Sequence, residues 1–227
     1  MIPELRKDFN ARWTPELYRN FLRRLDECAG THVEFRCNET PVFLPKPLLD
    51  KIVRYGSELY GQLASNPAYR EASESAIPKP FRVPNEAPHP LFVQADFGLV
   101  RAPDGEIEPK LVEIQGFPSI YGLQAVMADA YRRAYQLDPS LRVFLDGLDE
   151  SAFFELLKHA ILAGHDPENV VLLEIDPFEQ KTLPDFLVTR KRLGIRIVNI
   201  RDVKKQGRKL NVDGIPIERI YNRVIVD

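Results

Sequence analysis

The apolar run VVLLEI at residues 170–175 is the strongest constraint in the sequence. It has no alternation of polar and apolar side chains, so a strand made of it needs cover on both faces. A helix from about Leu183 to Leu193 follows, stopped by Gly194, and then a second apolar run, IRIVNI at 195–200. Strand, helix and strand with a short helix-to-strand connection imply a parallel pair with a right-handed crossover. The tail returns to hairpin character through Val212, Asp213 and Gly214 and the run IERIYNRVIV.

Upstream, the apolar period changes from element to element. Thr14 followed by Pro15 and Glu16 is a helix start, and Leu17, Phe21, Leu22 and Leu25 recur on one face until Gly30. Val33, Phe35 and Cys37 then alternate with His32, Glu34 and Arg36, which predicts a half-buried strand. Leu48, Ile52, Leu59 and Leu63 form the buried stripe of a second helix. The segment EASESAIPKPFRVPNEAPHP holds prolines at 78, 80, 84, 88 and 90, which remove backbone donors and favour extended backbone, so it reads as a long surface connection. Helical spacing returns in Leu123, Val126, Met127, Ala130 and Ala134, and again in Phe153, Leu156, Leu157, Ala160 and Ile161, ending at Gly164.

At 227 residues and 44% hydrophobic, the chain is long enough for one large domain or two small ones. A net charge of -2 leaves no excess of cations for a phosphate backbone or an anionic lipid surface, so nucleic acid is not an expected partner. No apolar run reaches the roughly 20 residues that cross a bilayer, and MIPELRKDFNARW lacks the core of a signal peptide; no membrane association and a cytoplasmic location are expected. Cys28 and Cys37 are the only cysteines, too few for a disulfide framework or a cysteine-rich zinc site, and read as buried thiols. Nothing in the sequence sets the oligomeric state.

The runs LFVQADFGLV and KLVEIQ flank the turn-forming stretch RAPDGEIEP and predict an antiparallel hairpin. With the turn centred on Asp104 and Gly105, Asp96 faces Glu113 and Gln94 faces Gln115, all four on one face of the ladder. Two opposed carboxylates repel unless something positive lies between them. A divalent cation meets that need, and carboxylate plus amide oxygens are hard ligands suited to magnesium, which commonly bridges to nucleotide phosphates. The other reading is a solvated sheet face on which the carboxylates pair with Lys110 or Arg101.

QADFGLVRAPDGEIEPKLVEIQGFP resembles the metal-binding hairpin of the glutathionylspermidine synthetase-like, circularly permuted ATP-grasp proteins. In that family a strand bearing Arg and, two residues on, Asp leads through a turn into a strand reading Glu, any residue, Asn, and these groups hold magnesium against ATP. The resemblance puts Asp96, Glu113 and Gln115 at the metal positions and Gln94 at the position of the Arg, beside the nucleotide. Gln115 offers the amide oxygen of Asn on a longer side chain. Gln94 departs further, because a neutral amide does not neutralise phosphate as a guanidinium does. The later stretch NVVLLEIDPFEQKTLPDFLVTRKRLGIRIVNIRDV resembles the small α/β region that precedes the rest of the grasp, and RIYNRVIVD resembles the strand leading back into it. Residues 1–90 lie outside the resemblance.

The expected fold is therefore mixed α/β: an antiparallel ATP-grasp-like hairpin region with helices, then a small parallel βαβ unit. Expected divisions are a helical region with a proline-rich connection at 1–90, the hairpin half at 91–165, and the small α/β region at 166–227. In such proteins more of the nucleotide pocket follows, so the native protein is expected to continue past Asp227, with this piece inactive alone. The resemblance implies a ligase that joins a carboxylate to an amine through an acyl phosphate, using ATP and Mg2+. The alternative motivated by Gln94 is a relative that has lost catalysis and binds a small molecule or a protein; an ordinary scaffold is the third reading.

Other candidates carry less. VVLLEIDPFEQ lacks the glycines of a dinucleotide fingerprint, and no P-loop is present. His32, His89, His159 and His165 have no metal-motif spacing; His89 lies nearest the acidic strand. Arg223, on an apolar strand, either faces solvent or finds an anion, and is a candidate for the cofactor. The loop GFPSIYG brings Ser119 and Tyr121 after Gln115 as candidate pocket residues, and no chemistry is assigned to Arg36 or Glu39.

Overall fold

A computed structural model describes residues 2–225; Val226 and Asp227 of the expected last strand lie outside them. In chain order the elements are α1 (Pro3–Arg12), α2 (Pro15–Ala29), α3 (Lys46–Ala64), α4 (Pro67–Ala76), β1 (Gln94–Arg101), β2 (Ile107–Gln115), α5 (Tyr121–Tyr135) and α6 (Glu150–Leu162). There follow β3 (Val170–Glu174), α7 (Leu183–Leu193), β4 (Arg196–Asn199), β5 (Lys204–Gln206), β6 (Lys209–Val212), β7 (Ile215–Ile217) and β8 (Arg219–Asn222). The fold is mixed α/β, as expected, with an antiparallel pair β1-β2, a parallel sheet in the order β4-β3-β8, and an antiparallel sheet β5-β6-β7. Among the described residues no helix is long and apolar enough to cross a membrane.

The chain forms two compact units, residues 1–8 with 42–118 and residues 9–41 with 119–227. They differ from the contiguous divisions at 90 and 165, because α2 packs on α5 far along the sequence, which draws 9–41 into the second unit.

In the first unit α3 lies against the hairpin. A Cβ built on Gly56 would meet the side chains of Ala95 and Phe97 at 3.5 and 3.7 Å, which puts those two on the α3 side of β1. The strand period then turns Gln94 and Asp96 to the opposite face. The proline-rich stretch is exposed from residue 78 onward, as expected, with one short 3-10 turn at Lys79–Phe81, but EASESA belongs to α4. That helix begins with Asn66 accepting the Tyr69 N–H and Pro67 in its first turn, and its polar surface gave no apolar period.

In the second unit all residues of β3 are buried, Val170, Val171 and Leu172 completely. Each such side chain contributes on the order of 1.5–3 kcal/mol relative to exposure. α7 ends at Gly194, whose φ of +79° suits the left-handed cap. The expected hairpin at Asp213 and Gly214 joins β6 to β7, whereas the RIYN run pairs in parallel with β3 as β8.

The segment 32–37 is not a strand. Val33 and Cys37 are buried while His32, Glu34 and Arg36 are exposed, so the alternation is real, but no ladder forms. Its backbone bonds instead to side chains: Asp26 accepts the Val33 N–H at 2.9 Å, and the hydroxyls of Tyr18, Tyr131 and Tyr135 donate to the carbonyls of Cys37, Asn38 and Glu39 in turn. Phe21 of α2 stacks on Tyr131 of α5 with ring centroids 4.0 Å apart, which anchors the helices that carry all three hydroxyls.

Candidate functional site

Asp96 pairs with Glu113 across β1 and β2, and Gln94 with Gln115. The expected partners are thus present, by two compensating deviations. The loop is Ala102 to Glu106, centred on Asp104 and closed by the pair Arg101 and Ile107, which alone would put Asp96 opposite Val112. A bulge between the Phe97–Leu111 and Asp96–Glu113 pairs takes up Val112 and restores the register. The loop is held by Ala102 N–H to Glu106 O at 2.8 Å and by Gly105, whose φ of +88° suits glycine.

On the face turned from α3, Gln94 Nε2 donates to Asp96 Oδ1 and Gln115 Nε2 to Glu113 Oε1, each at 3.2 Å. Glu113 is exposed and Asp96 half-buried, and among the described residues neither makes an ion pair. Lys110 pairs with Glu108 instead, at 2.9 Å, and Arg101 donates to the Gly105 carbonyl, so the alternative neutralisation by those two cations is not what forms. Gln94 Oε1 is buried and accepts no hydrogen bond among the described residues. With each amide nitrogen turned to a carboxylate, the remaining acceptors are hard oxygens. Among the described residues no group of three or more His, Cys, Asp or Glu is placed to hold a metal, so this face supplies two carboxylates and an amide oxygen. A magnesium ion that keeps waters and phosphate oxygens as its other ligands fits such a set.

Arg223 lies in the other unit and is buried, its guanidinium carbon 5.6 Å from the centroid of the Phe186 ring. The anion on which its charge acts is Asp185, a residue that sequence reasoning missed. Asp185 is fully buried on α7, and its Oδ1 accepts the Leu123 N–H at 2.9 Å in the first turn of α5. It replaces an N-cap side chain, since Ile120 at that position makes no capping bond. Burial pushes the Asp185 carboxyl up, opposed by the Leu123 N–H, the Arg223 guanidinium and the Gly122 N–H. Ile120 itself has φ of +47°, which strains a β-branched residue. An acid among Leu183, Phe186 and Val188 on an apolar helix was the available signal for Asp185.

The remaining candidates are placed as follows. His89 is exposed beside the Pro90 carbonyl, His32 bonds to Asp26 at 2.8 Å, and His165 to Glu218 at 3.3 Å. Cys37 is buried and Cys28 half-buried, and Arg36 donates to Glu39 at 2.8 Å. Tyr121 opens α5, with Ser119 just before it.

No protein-family model matches the sequence, and no curated protein does. Among solved structures the chain is similar to a glutathione synthetase-like effector from Globodera pallida in its apo form, with a TM-score of 0.60 and 15% identity. The likeness covers 95% of this chain, and the chain spans 59% of the length of that one. At this level of identity the likeness speaks to architecture: the chain has a glutathione synthetase-like fold.

Proposed function

We propose that this chain is the metal-holding part of an ATP-grasp-type, magnesium-dependent carboxylate–amine ligase of the circularly permuted, glutathionylspermidine synthetase-like kind. In that reaction the γ-phosphoryl group of ATP passes to a carboxylate oxygen, and an amine then attacks the acyl carbon and displaces phosphate. The observation that carries the reading is the opposition of Asp96 and Glu113 with no protein cation between them among the described residues. Asp96, Glu113 and Gln115 would hold the magnesium, which supplies charge neutralisation to the phosphates. Gln94, rather than the buried Arg223, is the group beside metal and nucleotide in this reading. The glutathione synthetase-like fold supports it.

Titration calorimetry with magnesium and ATP tests it. Binding is expected for the full-length protein and loss of binding for its double variant Asp96→Asn, Glu113→Gln; equal binding by both overturns the assignment. A second reading, a relative without catalysis that binds a small molecule or protein, is favoured by Gln94, whose neutral amide is already engaged with Asp96. Phosphate release from ATP by the full-length protein in the presence of pooled carboxylates and amines separates the two, and turnover eliminates the second.

A further inference from the structure

The sheet β4-β3-β8 ends at β4, and a groove of about 640 Å3 runs along that edge, lined by every residue from Gly194 to Asn199. Its remaining walls include Phe178 and Glu179 after β3, Arg190 near the end of α7, and Asp213 in the turn between β6 and β7. The volume is within the ~300–1,000 Å3 of ordinary ligand clefts. A strand paired on one side leaves alternate N–H and C=O groups pointing outward, and among the described residues no backbone group of another segment bonds to those of β4 from the open side. Such a row is a template for one more strand.

The charges along the groove select what that strand carries. Asp176 is held by Arg201, whose Nη1 lies 2.6 Å from both carboxylate oxygens, and Arg196 donates to the carbonyl of Glu168 at 2.9 Å. That leaves Glu179, Asp202 and Asp213, all exposed and without an ion pair among the described residues, against Arg190 and the half-buried Arg196, whose contacts are to carbonyls, so the groove stays net acidic by one charge. Phe178, 57% exposed at the rim, adds an apolar contact. We propose that the open edge of β4 is a docking groove for an extended peptide bearing lysine or arginine, which adds to the sheet as a further strand.

The test is fluorescence anisotropy with a labelled peptide of alternating lysine and valine, alongside a copy N-methylated at alternate residues and a copy with glutamate for lysine. Saturable binding is expected for the first peptide and at least a tenfold loss for both copies. The variant Glu179→Lys, Asp213→Lys changes only exposed side chains and is expected to weaken the first peptide at least tenfold, with its unfolding curve confirming the fold. Absence of saturable binding to the wild-type chain overturns the proposal. Equal binding of the N-methylated copy also overturns it, because charge alone then explains the attraction. So does self-association of the chain that excludes the peptide, since the edge is then the seat of a second copy.

Discussion

Asp185 accepts the backbone N–H of Leu123 across a separation of 62 positions, so a carboxylate on α7 closes the open first turn of α5. Asp185→Ala removes the cap and leaves the buried Arg223 without the carboxylate it acts on. A loss of about 1–3 kcal/mol is expected, the scale for leaving a buried N–H without its acceptor, read from the urea midpoint. Asp185→Asn keeps an oxygen for the Leu123 N–H and is expected to lose less. Equal losses would mean that the charge, and not the cap, is what matters.

The opposed carboxylates have an effect on stability that reverses with metal. In metal-free buffer Asp96→Asn relieves repulsion across the ladder and is expected to stabilise the hairpin by roughly 0.2–1 kcal/mol. Added magnesium is expected to raise the melting temperature of the wild-type chain and leave the variant where it was, as linkage requires of a ligand bound only by the folded state. Parallel shifts in both proteins would exclude this pair as the site.

Tyr131→Phe deletes the hydroxyl that donates to the Asn38 carbonyl and leaves the stacked ring in place. The expected cost is about 0.5–1.5 kcal/mol, the net worth of one hydrogen bond. Burial pushes the Tyr131 hydroxyl up, and that of Tyr135 to about 12, so ultraviolet titration of the folded protein should show neither ionising at the ordinary pH near 10. Ordinary titration of both would contradict the packing described for α2 and α5.

His32 is raised above its ordinary value of 6.5, first by its hydrogen bond to Asp26 and then by that carboxylate's charge. A raised base binds its proton more tightly in the folded state, so its contribution to stability is complete below 6.5 and lost as pH rises through the folded value. NMR titration of the His32 ring should show the upward shift, and Asp26→Asn should return it toward 6.5. An unmoved midpoint in the variant would show that the contact does not persist in solution.

Where a residue's burial is set by its own element, the sequence was legible. VVLLE reads as a two-sided strand because all of it is covered, and Gly194 ends α7 where the apolar period stops. Asp96 faces Glu113 only because the bulge at Val112 offsets a turn centred half a residue earlier than a hairpin turning on Asp104 and Gly105 would place it, and nothing in the alternation of side chains marks that bulge. Alternation from Val33 to Cys37 named the right buried side chains and the wrong structure, since distant tyrosines supply the partners that a strand would have needed. Asp185 was not legible as a cap, because its partner belongs to another part of the chain.

The two units interleave along the chain: residues 42–118 are inserted within the second unit, and residues 9–41 within the first. During synthesis α2 emerges long before α5, the helix against which it stacks, so its apolar face waits exposed until the whole hairpin unit has been made. No single cut in the chain yields either unit whole, and shortening the molecule from its amino end strips residues from both. Late completion of the larger core makes folding of this chain a long-range closure, which slows it.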